Sequence, residues 1–276
     1  MNRFIFFFVQ FLFPLVVWAG TVDTLDVRSQ AMRKNIKCVV ITPDGYATGT
    51  KAYPVVYLLH GYSGNYAQWI RETPSLAADA DRYQMIIICP DGGFNSWYFD
   101  SPVDSSVRYE TFITKELAAW ADATYRILTG KENRAITGLS MGGHGALYLS
   151  FRNPDVFGAA GSMAGGVDIR PFPKNWDMTR VLGDTLCCWE NWEKNTVINL
   201  ADTLKTTFPA LIIDCGVEDF FFQVNRNLHQ KLMDQQVPHD YIERPGKHNR
   251  DYWSNSVAYQ LLFFRKFFDR NTSTGG

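Results

Sequence analysis

One serine in the chain lies between glycines where a strand-like pattern gives way to a helix-like one. Gly138, Ser140 and Gly142 form the spacing G-x-S-x-G inside the stretch AITGLSMGGHGA. This spacing suits a serine on a sharp strand-to-helix turn, because the glycines let the backbone bend without Cβ clashes. A free serine hydroxyl is a poor nucleophile and needs a base. The motif therefore predicts a nucleophile only if the chain also supplies a base and an acid, and otherwise it is a glycine-rich turn.

The expected base is His248, one of five histidines. It follows a strand pattern and a Pro-Gly turn in HDYIERPGKH, late in the chain. A histidine in this place completes the chain order Ser…Asp/Glu…His that one class of hydrolases requires. For His144, inside the helix that follows Ser140, we expect a packing or orienting role. For His229 and His239 we expect surface or capping roles.

The acid that orients the histidine is expected in the segment PALIIDCGVEDFFF. Asp214 falls inside the apolar run and would need a buried partner. Glu218 and Asp219 follow Gly216 in a loop, from which a carboxylate can reach an imidazole and fix its tautomer. We predict Asp219 as the acid, with Glu218 as the alternative.

Two backbone N–H groups are expected to stabilise the oxyanion that forms when the serine attacks. One belongs to Met141, the residue after the nucleophile, and the other comes from the loop after the third strand. That loop is HGYSGNYAQW, in which Tyr62 is the candidate donor. Each such donor contributes roughly 3 kcal/mol to transition-state stabilisation. The alternative for HGYSGN is a plain glycine turn.

Strand-like and helix-like patterns alternate along the chain after the first twenty residues. The strand patterns are KCVVITP, YPVVYLLHG, YQMIIICPDGG, NRAITGLS, FGAAGSMAGG, PALIIDCG and HDYIERPG. The helix patterns are RYETFITKELAAWADATYRI, MGGHGALYLSFRNPDVFG, QVNRNLHQKLMDQQ and SVAYQLLFFRKFF. This alternation predicts an α/β fold with a mostly parallel central sheet and helices on both faces, in a single domain over residues 21–276.

The segment 166–207 interrupts this alternation. It is polar, contains several tryptophans and prolines, and has no clear period. We expect a variable insertion there, at the edge of the sheet where open α/β folds bind ligands. The specificity of the site is expected to depend on it.

Composition and charge are those of an ordinary globular protein. Of 276 residues, 46% are hydrophobic and 20% charged, and the net charge is −1. Neither this composition nor this net charge favours binding to nucleic acid or to an anionic membrane surface.

The first twenty residues have the pattern of a secretory signal peptide. Arg3 precedes the apolar stretch from Phe4 to Trp18, and the small residues Ala19 and Gly20 follow. We predict a signal peptide over residues 1–20 and a mature protein that is secreted or periplasmic and leaves the membrane after cleavage. An uncleaved anchor is the alternative.

Five cysteines leave at least one thiol free. Cys38, Cys89 and Cys215 lie in apolar runs and are expected to be small buried residues. Cys187 and Cys188 are adjacent in the polar segment, and their redox state stays open. No C-x-x-C spacing supports a zinc or redox site.

Five motifs together resemble one family. The stretches YLLHGYSGN, CPDGG, GLSMGGHGAL, DCGVEDFF and PGKH occur in the order found in the esterase D-like family of α/β-hydrolases. The similarity extends from about Val22 to Phe268. The family includes S-formylglutathione hydrolases, acetyl and feruloyl carbohydrate esterases, short-chain esterases and mycolyltransferases.

The resemblance implies the α/β-hydrolase fold and a role for each candidate residue. Ser140 matches the family's nucleophile, Asp219 its acid and His248 its base, while the N–H groups of Tyr62 and Met141 match its oxyanion hole. It implies a serine esterase that works through an acyl-enzyme, with no metal or cofactor.

The expected substrate is a small-molecule or carbohydrate ester. Cys215 stands where the S-formylglutathione branch usually has glutamine, and that branch is cytoplasmic whereas this chain is predicted to be exported. We therefore expect acetyl or feruloyl esters of plant cell-wall carbohydrate, or other short-chain esters. Acyl transfer of the mycolyltransferase type and a non-catalytic glycan-binding module are the alternatives.

Overall fold

The computed structural model describes residues 20–204 and 208–273, with the side chains of 271–273 left aside. The predicted signal peptide, apart from Gly20, lies outside these residues, as does the end of the predicted insertion at 205–207. Across the two described ranges, no helix is long and apolar enough to cross a membrane.

An eight-stranded sheet forms the centre of the molecule, in the spatial order β1-β2-β4-β3-β5-β6-β7-β8. The strands are β1 (Thr21–Ser29), β2 (Lys34–Thr42), β3 (Val55–Leu59), β4 (Ile86–Pro90), β5 (Arg134–Gly138), β6 (Ala159–Met163), β7 (Ala210–Gly216) and β8 (His239–Arg244). β2 is antiparallel to β1 and β4, and the other neighbours are parallel.

All seven predicted strands form, and the mostly parallel sheet is confirmed. β1 is the strand that the sequence patterns did not predict. It lies at the edge of the sheet and most of its residues are exposed, so it has few apolar positions to mark it.

Helices cover both faces of the sheet. They are α1 (Gln68–Glu72), α2 (Leu76–Arg82), α3 (Tyr109–Thr111), α4 (Ala118–Thr124), α5 (Met141–Arg152), α6 (Met178–Leu182), α7 (Thr185–Asn195), α8 (Val197–Leu200), α9 (Phe222–Asp234) and α10 (Arg250–Ser273). A π-helical stretch, Phe112–Leu117, joins α3 to α4, so the predicted helix at 108–127 forms as one composite element.

The central strands are buried on both faces, which explains their continuous apolar runs. In β3, Tyr57 and Leu59 point into one core, and Val56 and Leu58 into the other. α5 packs in the first core and α10 in the second.

The segment 166–204 packs onto the first core. It forms the short helices α6, α7 and α8. Met178, Leu182, Trp192 and Val197 are buried. Three short helices in place of one long one leave little room for a helical period, and Cys188 leaves the helical conformation inside α7.

Three of the cysteines are buried, as predicted. Burial raises the pKa of the Cys38, Cys89 and Cys215 thiols, so they stay protonated and behave as small apolar groups. Cys187 and Cys188 lie at the surface with their sulfur atoms 2.7 Å apart.

Candidate active site

The carboxyl ends of four parallel strands bring the predicted site residues to one edge of the sheet. Tyr62 follows β3, Ser140 follows β5, Asp219 follows β7 and His248 follows β8. Ligands of open α/β sheets bind at this edge.

Ser140 lies on a sharp turn between β5 and α5. Its backbone has φ 55° and ψ −116°, a conformation that non-glycine residues rarely adopt. The flanking glycines allow it, because a Cβ on Gly142 would lie 2.5 Å from the Leu59 carbonyl oxygen and one on Gly138 2.6 Å from the Gly142 carbonyl carbon. The glycine spacing therefore has a steric reason.

A chain of two hydrogen bonds joins Ser140, His248 and Asp219. His248 Nε2 lies 2.9 Å from Ser140 Oγ, and His248 Nδ1 lies 2.7 Å from Asp219 Oδ2. The second oxygen of Asp219 accepts the Phe221 N–H at 2.8 Å. With Nδ1–H donating to the carboxylate, Nε2 is free to accept the serine proton.

Aromatic rings surround the imidazole of His248. The ring centroids of Phe220 and Trp253 lie 4.3 Å and 5.3 Å from it, and that of Phe221 lies 5.5 Å away. The indole N–H of Trp253 donates to Glu72 Oε2 at 2.7 Å. These contacts restrict the rotation of the imidazole that the two hydrogen bonds already orient.

The other two acid candidates lie away from His248. The side chain of Glu218 is half exposed, with an oxygen 3.7 Å from Lys247 Nζ. Asp214 is fully buried and accepts a hydrogen bond from Arg244 Nη2 at 2.7 Å, so the buried partner that the sequence required is this arginine. Burial raises the pKa of Asp214 to about 6, although Arg244 opposes the rise.

The remaining histidines have structural surroundings. His144 is buried, stacks on Tyr148 and lies 3.1 Å from the Asn195 carbonyl oxygen, and burial lowers its pKa to about 4. His229 and His239 lie 2.8 Å apart, Nδ1 to Nε2. The prediction of packing for His144 fits, whereas these two partly buried rings bond to each other rather than standing free at the surface.

His60 is a site residue that the sequence did not single out. Its Nε2 accepts the Gly92 N–H at 2.7 Å, and its Nδ1 lies 2.8 Å from the Gly61 carbonyl oxygen. It therefore ties the loop after β3 to the loop after β4. The stretch LLHG, a histidine at the end of a buried strand, was the signal for it.

The two candidate oxyanion donors lie beside the serine. Met141 begins α5, where the helix dipole favours negative charge. Within the described residues, the N–H groups of Tyr62 and Met141 have no protein acceptor. Both are therefore available to a substrate oxygen.

A cavity of about 260 Å³ opens at Ser140. Aromatic side chains form much of its wall: Tyr62, Trp176, Phe220 and Trp253. Of the tryptophans, Trp176 and Trp253 line this cavity, whereas Trp69, Trp97 and Trp192 are fully buried in the cores.

The sequence resembles known esterases over most of its length. The Esterase family model, described as "Putative esterase", matches residues 29–264. An acetyl esterase from Caldicellulosiruptor saccharolyticus is 27% identical over 226 residues, which covers 78% of this chain and 84% of that protein.

Solved structures of similar proteins have the same fold. FphF, a fluorophosphonate-binding serine hydrolase of Staphylococcus aureus, superposes with a TM-score of 0.80 at 21% identity, covering 90% of this chain and 99% of that one. A ferulic acid esterase superposes with a TM-score of 0.77 at 28% identity, covering 91% and 99%. Since the family model spans most of the sequence, the chain belongs to the esterase family of α/β-hydrolases and is a carboxylic ester hydrolase.

Proposed function

We propose that this protein is a serine esterase in which Ser140 is the nucleophile, His248 the general base and Asp219 the residue that orients the base. The observation that carries the proposal is the continuous hydrogen-bond chain from Ser140 Oγ through the imidazole to Asp219. A serine positioned in this way loses its proton to Nε2 as it attacks a carbonyl carbon.

The reaction follows from these positions. Attack by Ser140 Oγ gives a tetrahedral intermediate whose oxyanion accepts hydrogen bonds from the Tyr62 and Met141 N–H groups. His248 passes its proton to the leaving alcohol, and an acyl-serine remains. A water molecule then attacks the acyl carbon while His248 takes the water's proton. The bond from the acyl carbon to Ser140 Oγ breaks, His248 returns the proton to Ser140 Oγ, and the carboxylic acid leaves.

The cavity supports a small or planar acyl group. Its volume is about 260 Å³, and Trp176 and Phe220 stack on each other beside the serine. Aromatic walls suit a planar ring through stacking. The similarity to an acetyl esterase and to a ferulic acid esterase agrees with this size and shape. We propose acetyl or feruloyl esters of plant cell-wall carbohydrate as substrates.

Replacing Ser140 with alanine tests the proposed nucleophile. Wild type and Ser140→Ala are assayed on p-nitrophenyl acetate, butyrate and laurate, acetylated xylan and methyl ferulate. We expect the variant to lose about 10⁵-fold in kcat while keeping the wild-type circular dichroism spectrum, because the covalent step has no nucleophile. A folded Ser140→Ala that hydrolyses these esters at the wild-type rate would contradict the mechanism.

Replacing Trp176 with alanine tests the acyl site. We expect methyl ferulate to lose more kcat/KM than p-nitrophenyl acetate, because an acetyl group is too small to reach the removed ring. An equal loss on both substrates would argue against an aromatic acyl site. Adding a sugar acceptor to the same assays separates hydrolysis from transfer, since transfer would divert the acyl group into a new ester.

Export is proposed from the first twenty residues alone. Expression in a host with a secretory pathway, followed by N-terminal sequencing of the exported protein, tests it. We expect a mature chain that begins at Gly20 or Thr21, and a chain that retains Met1 in the membrane fraction would favour an anchor instead.

A further inference from the structure

Two consecutive residues near the cavity have left-handed backbone conformations. Trp176 has φ 54° and Asp177 has φ 52°, and neither is a glycine or an asparagine. They precede α6, inside the segment 166–204. Non-glycine residues keep such conformations only where the surrounding structure holds them, so this pair points to a constraint at this place.

The side chains of this pair contact different parts of the candidate site. The Trp176 ring forms part of the cavity wall and stacks on Phe220, with ring centroids 5.8 Å apart. The Asp177 carboxylate accepts a hydrogen bond from the hydroxyl of Tyr62 at 2.9 Å. One short segment therefore contacts both the cavity wall and the loop that carries a candidate oxyanion donor.

The backbone on both sides of Tyr62 is held by other bonds. The Gly61 N–H donates to Gln68 Oε1 at 3.2 Å, and the Ser63 N–H donates to the Phe94 carbonyl oxygen at 2.8 Å. The Tyr62 ring packs edge-on against Phe94, with centroids 5.0 Å apart. The far end of the tyrosine is fixed by Asp177, 115 positions away in the sequence.

The charge distribution favours this hydrogen bond. Arg180 Nε lies 3.8 Å from Asp177 Oδ1, on the oxygen that Tyr62 does not use. Desolvation and the hydrogen bond to Asp177 raise the pKa of the Tyr62 phenol. The phenol therefore stays protonated and remains the donor to the Asp177 carboxylate.

We propose that Asp177 is a positioning residue for ester hydrolysis. It holds the Tyr62 side chain, and through it keeps the Tyr62 N–H directed at the oxyanion that forms when Ser140 attacks. The inference rests on the proposed function and extends it, because it assigns a role in catalysis to a residue of segment 166–204 that contacts no reacting atom.

The kinetic signature of such a role is specific. The oxyanion exists in the tetrahedral intermediate and not in the bound ester, so a displaced N–H weakens binding of the transition state and leaves substrate binding nearly unchanged. Loss of the Tyr62–Asp177 bond should therefore lower kcat and leave KM alone. A change in the shape of the cavity would instead alter KM.

Four variants test the proposal with p-nitrophenyl acetate. Tyr62→Phe keeps the ring and the N–H but removes the hydroxyl, and Asp177→Ala removes the acceptor. Both are expected to lower kcat about tenfold, less than the 10²–10³-fold that accompanies full loss of a donor, with KM within twofold of wild type. Asp177→Asn keeps an amide oxygen that accepts the tyrosine hydrogen, and is expected to restore most of kcat. The double variant Tyr62→Phe/Asp177→Ala is expected to be no slower than either single variant.

A second readout separates positioning from general damage. A trifluoromethyl ketone forms a serine adduct whose oxyanion uses the same N–H groups, so its Ki should rise about tenfold in Tyr62→Phe and Asp177→Ala. Glu190→Gln, an exposed change in the same segment, is the matched control and should leave kcat and Ki unchanged. Melting temperatures of all variants show whether they remain folded.

Different results would overturn the role of Asp177 and the role of Ser140. Wild-type kcat in Tyr62→Phe, or an Asp177→Asn as slow as Asp177→Ala, would overturn the role of Asp177 while Ser140→Ala remained inactive. Full activity in Ser140→Ala would overturn the proposed function, and this inference with it.

Discussion

Two buried carboxylates lie five residues apart around the carboxyl end of β7, one inside the sheet and one in the loop above it. Asp214 is fully buried and pairs with Arg244 at 2.7 Å. Asp219 is 6% exposed and pairs with the His248 imidazole at 2.7 Å. Burial and partner distance are nearly the same, so they do not distinguish the two carboxylates.

The chemistry of the partner distinguishes them. The Arg244 guanidinium stays charged at all ordinary pH values and has no proton to exchange. It also packs on the rings of Tyr252 and Tyr259 in α10, 5.2 Å and 4.3 Å from their centroids. Asp214 and Arg244 therefore tie α10 to the sheet. An imidazole can both accept and donate a proton, so in the proposed mechanism Asp219 faces a partner whose charge changes during the reaction.

The largest effect is expected when Asp219 can no longer orient the His248 imidazole. Asp219→Asn should lower kcat/KM about 10⁴-fold, because an amide no longer fixes the imidazole tautomer that accepts the serine proton. The free energy of unfolding should change much less than the activity does. The measurement is kcat/KM on p-nitrophenyl acetate beside a urea denaturation curve.

Glu218→Gln is the matched control for that variant. The change is one residue away and chemically the same, but the Glu218 side chain faces Lys247 and solvent. Its kcat/KM should stay within about twofold of wild type, as for most surface changes. If Glu218→Gln were the slower of the two variants, Glu218 would be the acid.

A smaller effect is expected when the Asp214 pair is broken. Arg244→Met leaves the buried carboxylate without its counter-charge and should lower the free energy of unfolding by about 3 kcal/mol at pH 7.5. On folded protein, kcat/KM should stay near the wild-type value. Lys37→Met, which removes a half-exposed pair with Asp26, should cost less than about 1 kcal/mol. Loss of activity in Arg244→Met without loss of stability would mean that this pair serves the site.

Spacing along the chain was enough to predict which side chains the structure brings together at the candidate site. Ser140 was marked by glycines whose absent side chains the structure requires, and His248 by its place after the last strand. The loop after β7 marked both Glu218 and Asp219 as candidates for the acid, and the structure brings Asp219 rather than Glu218 to His248. Each of these signals is local, since the strand, the turn and the side chain lie within a few residues of one another.

Features that depend on distant contacts could not be predicted. The sequence required a buried partner for Asp214, but finding Arg244 needs the register of β7 against β8, in which Gly216 is opposite Arg244. The bond between Tyr62 and Asp177 needs left-handed residues that no glycine or asparagine marks. The edge strand β1 has too few buried positions to show a period.

The smallest expected effect is a difference between the wild type and Asp214→Asn in how the free energy of unfolding depends on pH. This difference isolates the carboxyl group of Asp214. Its pKa is about 6 in the folded protein and close to 4 in the unfolded chain. Between these pH values the folded state binds more protons, so rising pH lowers the free energy of unfolding. From pH 4 to pH 6 the wild type should therefore lose on the order of 2 kcal/mol of unfolding free energy relative to Asp214→Asn, which has no proton to release there.

Other carboxyl groups titrate in both proteins, so their contributions cancel in the difference. The uncompensated Arg244 of the variant adds a cost that does not change with pH. Urea denaturation of both proteins at half-unit pH steps measures the slope, and parallel curves would show that Asp214 keeps an ordinary pKa beside Arg244.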